Sequence, residues 1–172
     1  MKNHPHKIPV AAYIGLGSNL DNPIGQVRTA MTELGSIART RVMKQSSLYR
    51  SPALLSAENP RPQPDYINAV VAVETELAAG ALLDQMLLIE RSHGRHRGLR
   101  WAARTLDLDL LVYGDAQLDG PALTVPHPGL PKRAFVLYPL HEIAPDLEVP
   151  GHGAVALLKD RCQAETIQRI ES

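Results

Sequence analysis

The sequence predicts an α+β fold with a β-α-β-β-α-β core, the split βαβ arrangement of ferredoxin-like domains. Three observations carry this. Apolar stretches at residues 11–16, 42–50, 68–76 and 105–114 read as strands. Between them, two stretches beginning at Pro23 and Ala79 repeat apolar residues at helical spacing. The 172-residue chain shows no internal repeat and no second set of elements, so residues 1–172 are expected to form a single domain with extra elements after the core.

Taken in order, residues 1–9 read as a flexible polar leader. AAYIGL (11–16) reads as a short buried strand, and the segment from Gly15 to Asn19 as a tight turn closing it. Asn22 is expected to cap the next helix, with Pro23 in its first position and Gly35 ending it. Ile24, Val27, Met31 and Leu34 supply its apolar face. VMKQSSLYR (42–50) reads as one strand. Residues 51–65 hold Pro52, Pro60, Pro62 and Pro64, a density that forbids a regular helix or a central strand. A connection of this length in a compact domain is either functional or disordered.

NAVVAVETE (68–76) is the clearest strand. The helix from Ala79 to Ser92 has Leu82, Leu83, Met86, Leu87 and Ile89 as its apolar side. Glu90 falls on that stripe, seven residues after Leu83. It is either a stripe edge reaching solvent or a carboxylate aimed into a site. Residues 93–104 read as a glycine-containing loop, and 105–114 as a strand with strict alternation in its first half. Residues 131–143 start helical at Pro131 and are expected to break at Pro139. The tail from 154 carries a weak helical signal.

Composition narrows the function. Lys+Arg and Asp+Glu each number 18, so net charge is zero, which argues against a general nucleic-acid or membrane-surface binder. One cysteine, Cys162, rules out a disulfide framework and a cysteine-based zinc site. No apolar run approaches the ~20 residues of a membrane helix. The N-terminus has no apolar core of a signal peptide, and a reducing cytoplasm is the expected setting.

The strongest chemical signal is RSHGRHRGLRWAARTLDLDLL (91–111). From Arg91 to Arg104 it gathers five arginines and two histidines without an acid. Asp107 and Asp109 follow. Two apart on a strand, they face one side with Cα atoms about 7 Å apart, while Leu106, Leu108 and Leu110 turn inward. Two such carboxylates repel unless a cation sits between them. An oxygen-only ligand set favours Mg²⁺. A Mg²⁺ site beside an arginine-rich loop suits a bound polyphosphate, with arginine forks neutralising the remaining charge. There is no phosphate-binding G-x-x-x-x-G-K-[ST] loop and no protein-kinase motif. The expected chemistry is therefore metal-assisted transfer without a covalent intermediate. PDYINA (64–69) adds a planar amide, Asn68, and a stacking ring, Tyr66. In residues 124–147, His127 and Arg133 are plausible phosphate contacts, and Phe135 is the only Phe of the chain.

Four stretches resemble the 6-hydroxymethyl-7,8-dihydropterin pyrophosphokinase family of folate biosynthesis. They are YIGLGSNL (13–20), QPDYINAVVAVET (63–75), GRHRGLRWAARTLDLDLL (94–111) and TVPHPGLPKRAFVLYPLHEIAPDL (124–147), in the family's order and spacing. The resemblance implies a three-layer α/β/α form of the fold with a mainly antiparallel sheet. It implies transfer of the pyrophosphoryl group of ATP to the pterin hydroxymethyl oxygen, with AMP leaving. It makes Asp107 and Asp109 ligands of two Mg²⁺ ions and, with Arg95 and Arg104, the catalytic set. Pro52, Leu54, Tyr66, Asn68 and Phe135 correspond to the pterin site, with Phe135 stacking on the ring. Glu90, Arg95, Arg97, Trp101, Arg104, Leu110, Thr124, His127 and Arg133 correspond to the ATP site. Residues 51–65 and 94–104 correspond to two mobile loops. The implied partners are ATP and the pterin, bound by a monomer, without nucleic acid or membrane. The chain departs from the family at three places, four residues in all: Ala102-Ala103 replaces a common Gly-Pro, Leu87 stands where some members carry Gln, and Pro128 where some carry Tyr.

Competing readings make distinct demands. An RNA-recognition module needs stacking aromatics on its central strand, and NAVVAVETE has none. A small-molecule-sensing domain leaves the two carboxylates beside five arginines unexplained. A metal-dependent nuclease would use the same carboxylates but release no AMP from ATP.

Overall fold

The computed structural model describes residues 7–55, 57–58, 60–94, 105–162 and 166–170. Strand β1 (Val10–Ser18) leads into helix α1 (Pro23–Leu34), strands β2 (Thr40–Gln45), β3 (Leu48–Ser51) and β4 (Tyr66–Thr75), helix α2 (Ala79–Ser92) and strand β5 (Asp107–Tyr113). Beyond this core come the short strands β6 (Leu118–Asp119) and β7 (Thr124–Val125), a 3₁₀ turn (Leu130–Lys132) and helix α3 (Ala134–Ile143). Strands β8 (Glu148–Val149) and β9 (Gly153–Ala154), helix α4 (Val155–Arg161) and strand β10 (Gln168–Ile170) complete the chain.

The main sheet runs β10-β3-β4-β1-β5, with β2 also pairing β4, and every pairing is antiparallel. Period-2 alternation divides its faces. Ala12, Ile14 and Leu16 of β1 pack with Val71 and Val73 of β4 against Val27, Met31 and Leu34 of α1 and Leu82 and Met86 of α2. The other face sets Val70, Ala72 and Leu111 against Leu137 and Leu140 of α3 and Val155 and Leu158 of α4. Helices therefore cover both faces, giving three layers. Each fully buried Leu or Ile contributes roughly 1.5–3 kcal/mol, so neither face is dispensable.

Several local expectations change. Gly15 and Gly17 are not in a turn: β1 continues to Ser18 because β4 and β5 pair with it on both sides. Residues 42–50 form two strands, because Ser46 interrupts the ladder. Its Oγ accepts from Val70 N at 2.9 Å and its own N donates to Val70 O at 2.9 Å. Pro139 does not break α3. It is buried inside the helix, and the packing of Val136, Leu137, Leu140 and Ile143 outweighs the ~3 kcal/mol that an interior proline costs. Asn22 caps α1 as expected, its Oδ1 accepting from Gly25 N at 3.3 Å, although its own backbone is left-handed at φ 63°. Of the loop expected at 94–104, all but Gly94 lies outside the described residues, as do residues 1–6 of the expected leader.

The tail also differs: past α4 it becomes β10, which extends the sheet beside β3. A polar cluster holds it there. Glu142 on α3 accepts from Ser47 N at 3.1 Å, Ser47 Oγ at 2.7 Å and Tyr49 Oη at 2.6 Å. Arg169 lies 3.3 Å from Glu142 and donates to Ser47 Oγ at 2.9 Å. Burial alone would raise the Glu142 carboxyl. The bonds from Tyr49 and Ser47 and the Arg169 charge outweigh it and hold the group below its ordinary value. Burial and the Glu142 bond push the Tyr49 phenol well above its usual range. The depressed Glu142 carboxyl stabilises the fold fully above its unfolded pKa of about 4.3, and that contribution disappears as pH falls through the folded value. Glu142→Ala is expected to cost about 2–3 kcal/mol at neutral pH, with the deficit shrinking in acid. Urea unfolding of both proteins at pH 7 and pH 3 checks this; a deficit independent of pH would contradict it.

Candidate active site

The chemistry-bearing residues lie across adjacent strands. Asn68 on β4 pairs with Gly17 on β1, and Gly17 pairs with Asp107 on β5. Two residues back, Gly15 links Val70 to Asp109 in the same way. The row runs from amide to glycine to carboxylate on the face that α3 covers only in part. At Gly17 a Cβ would stand 3.5 Å from Asn68 Oδ1 and 3.7 Å from Tyr66 Cδ1. Glycine keeps that space open between the amide and the carboxylates.

A cleft opens over this row. Its floor is Gly15, Gly17, Asn68, Asp107 and Asp109. Ser51, Pro52, Leu54 and Tyr66 form one wall, and Arg133, Phe135 and Val136 at the start of α3 form the other. The Arg133 guanidinium lies 5.8 Å from the centre of the Phe135 ring, within cation–π range. Asn68 is almost fully buried, and its Nδ2 donates to Ser51 Oγ at 2.7 Å. Asn19, at the end of β1, is also buried. Its Nδ2 donates to Gln63 Oε1 at 3.2 Å and Pro64 O at 3.1 Å, tying the proline-rich connection to the site. That connection is thus anchored at its C-terminal end, directly before Tyr66.

A second cavity adjoins the first. It is bounded by Leu83, Leu110, Thr124, His127 and Pro128, and Asp109 borders both cavities. A cis bond between Val125 and Pro126 precedes His127. The His127 Nδ1 accepts from Gly129 N at 3.0 Å, so the neutral ring carries its proton on Nε2, 3.7 Å from Asp109 Oδ1. Burial, and then the Arg133 charge, lower the His127 pKa; Asp107 opposes them. At neutral pH this ring is an uncharged donor beside the carboxylates.

The sequence-derived residues fall into three groups. Pro52, Leu54, Tyr66, Asn68, Phe135, Asp107, Asp109 and Arg133 meet in the first cleft, and Leu110, Thr124 and His127 in the second. Glu90 does neither. It is 3% exposed, and its Oε1 accepts from Leu108 N at 2.8 Å, between the two aspartates. Arg95, Arg97, Trp101 and Arg104 lie outside the described residues. Ser51, Asn19 and Gln63 carry no motif in the sequence that marks them as cleft residues. Gly15 and Gly17 do carry a spacing signal, but locally it is that of a turn, whereas both lie within β1.

Among the described residues, no group of three or more His, Cys, Asp or Glu side chains forms a metal cage. Two strand carboxylates suit Mg²⁺, which keeps several waters and completes its shell with substrate phosphates. No helix among these residues is long and apolar enough to cross a membrane.

Fold and site together define an α+β domain of the ferredoxin-like class, in which a cleft lined by Tyr66, Asn68 and Phe135 meets a second cavity at Asp109, beside Asp107. The chain belongs to the 7,8-dihydro-6-hydroxymethylpterin-pyrophosphokinase family, whose pattern matches residues 13–145. It is 45% identical over 142 residues to a 2-amino-4-hydroxy-6-hydroxymethyldihydropteridine pyrophosphokinase of Haemophilus influenzae, covering 83% of this chain and 86% of the relative. It is 44% identical over 158 residues to the Pseudomonas aeruginosa protein of the same name, covering 92% and 95%. Among solved structures, the Plasmodium falciparum HPPK-DHPS superposes with a TM-score of 0.74 at 13% identity, a likeness of fold. That match covers 96% of this chain and 50% of the other, so the chain spans half the length of that solved protein.

Proposed function

We propose that this chain transfers the pyrophosphoryl group of ATP to the hydroxymethyl oxygen of 6-hydroxymethyl-7,8-dihydropterin, releasing AMP, in folate synthesis in the cytoplasm. The observation that carries this is Asp109 bordering both cavities, with Asp107 beside it on the floor of the first. A flat ring held between Tyr66 and Phe135 and bonded edge-on by Asn68 places its side arm over the carboxylates. A triphosphate in the second cavity meets His127 Nε2–H and reaches the Arg133 guanidinium. The hydroxymethyl oxygen attacks the β-phosphorus, and the bond from that phosphorus to the oxygen bridging it to the α-phosphate breaks. Asp107 and Asp109 would hold Mg²⁺, two ions in the family's pattern, which when bound neutralises phosphate charge and polarises the phosphorus centre. The protein's share is positioning and charge stabilisation. What supports a monomer is that one chain supplies both carboxylates, the amide and the stacking ring.

The test is AMP release from ATP in the presence and absence of the pterin. Release should require the pterin, cease with EDTA and return with Mg²⁺; release that ignores the pterin would overturn the reading. Asn68→Ala should weaken pterin binding at least about tenfold, since a buried polar pairing discriminates at that level or better. Its ATP affinity should be unchanged. Calorimetry with each ligand separately checks this, and equal loss of both would refute the role given to Asn68.

A further inference from the structure

Helices α1 and α2 pack on the same face of the sheet, and a histidine that the reaction does not use joins them. His93 stands where α2 ends, its N donating to Ile89 O and Glu90 O at 3.2 Å. Its side chain is 7% exposed and turns to α1. Nδ1 lies 2.5 Å from Gln26 Oε1, and Nε2 lies 2.5 Å from Glu33 Oε2. The polarity of the Gln26 amide is fixed from outside the pair. Its Nε2 donates to Asp21 O at 3.0 Å, a carbonyl that can only accept, which leaves Oε1 for the ring. The Glu33 carboxylate also only accepts. Both ring nitrogens must therefore donate, whereas a neutral imidazole carries one N–H. The two bonds exist together only while the ring is protonated. Of the charged groups nearby, Arg28 of α1 and Arg91 of α2 are exposed, and Glu90 is turned to Leu108 N. Asp107 and Asp109 of β5 line the cleft on the other face of the sheet.

We propose that His93 is a positioning residue for the nucleotide: a proton-operated clamp that fixes the end of α2 to α1, and with it the point from which the chain sets out toward Arg95. Arg95 follows two residues later in the sequence, and the family resemblance places it with the ATP. The inference rests on the reading of ATP as substrate. While the ring is protonated the clamp is complete. As pH rises and the proton leaves, one of the two bonds is lost and the other alone holds α2 to α1. An arginine fork pairs with phosphate oxygens only in a narrow geometry. A looser root therefore weakens ATP binding, and it leaves the pterin cleft, on the other face of the sheet, unaffected. Glu33→Gln separates the proton from the contact. The new amide can donate as well as accept, so it bonds a neutral ring and keeps both bonds at any pH. His93→Leu removes both.

The experiment measures the KM of ATP and of the pterin for the wild type, Glu33→Gln and His93→Leu at pH 5.5 and pH 8.5, either side of the histidine range. Proteins are compared at one pH, so that the titration of His127 and of the substrates cancels. At pH 5.5 the wild type and Glu33→Gln should agree, with the ATP KM of His93→Leu at least about threefold higher, the scale of a net hydrogen bond. At pH 8.5 the ATP KM of the wild type should stand about threefold above that of Glu33→Gln. The pterin KM should be the same in all three. Proton–nitrogen spectra of the His93 ring should show two N–H groups in the wild type at pH 5.5 and one at pH 8.5. Equal ATP KM values for the wild type and Glu33→Gln at pH 8.5 overturn the proposal, and this comparison stands even if His93→Leu does not fold. So does a single ring N–H at pH 5.5, or a pterin KM that moves in step with that of ATP. A wild type that releases no AMP from ATP removes the substrate reading and the proposal with it. That result is distinct from an active enzyme whose ATP KM ignores His93 and Glu33.

Discussion

Asp107→Ala and Asp109→Ala each reduce turnover to background, by about 10³-fold or more in kcat, while the protein stays folded. At 1.36 kcal/mol per decade this is about 4 kcal/mol of transition-state stabilisation, within reach of removing a metal ligand from a phosphoryl-transfer site. Both residues lie on a strand whose pairing with β1 is made by the backbone, so the substitutions leave the sheet intact. Asp109 borders both cavities and Asp107 the first alone. The Asp109 variant is therefore expected to affect ATP binding as well as turnover. Single-turnover rates with saturating pterin, together with unfolding curves, decide the matter. Near-normal rates in both variants would remove the metal assignment.

Glu90→Ala should unfold at a temperature about 5–10 °C lower, since it costs about 2–4 kcal/mol in a chain of this size. Leu108 N would lose its carboxylate acceptor inside the protein. That amide lies between the two aspartates in sequence, so kcat should fall with stability. Glu90→Gln keeps an acceptor oxygen and should lose much less of both. The family resemblance suggests a competing outcome, a residue touching ATP. In that case the Ala variant would keep its unfolding temperature and show only a raised ATP KM. Differential scanning calorimetry alongside kinetics separates the two.

Much of the scaffold is legible in the sequence because its signals are local. The 3.6-residue repeat of Val27, Met31 and Leu34 defines α1, and the D-L-D-L alternation of β5 sets both aspartates on one face. Helix α2 keeps its expected bounds, and its inward stripe is Leu82, Met86 and Glu90, the last a carboxylate in an apolar row. Illegible features depend on long-range partners. Ser46 breaks a strand only because Val70 accepts and donates to it. Three-residue β10 has no pattern of its own; Arg169 meets Ser47 across 122 positions of chain, and Glu142 meets Ser47 across 95. Gly15 and Gly17 read locally as a turn, because their purpose, leaving room beside Asn68 and Asp107, appears only when three strands are assembled. Ser51 and Asn68 are 17 residues apart, and neither residue type announces the bond. Glu90 shows the same limit: its stripe position was visible, while its partner on β5 was not.

The central claim is that the two cavities hand a diphosphate from one substrate to the other across Asp107 and Asp109. Mass spectrometry of the products formed from ATP, Mg²⁺ and 6-hydroxymethyl-7,8-dihydropterin tests it most directly. The account predicts pterin diphosphate and AMP in equal amounts. Pterin monophosphate with ADP would place the attack at the γ-phosphorus and contradict it.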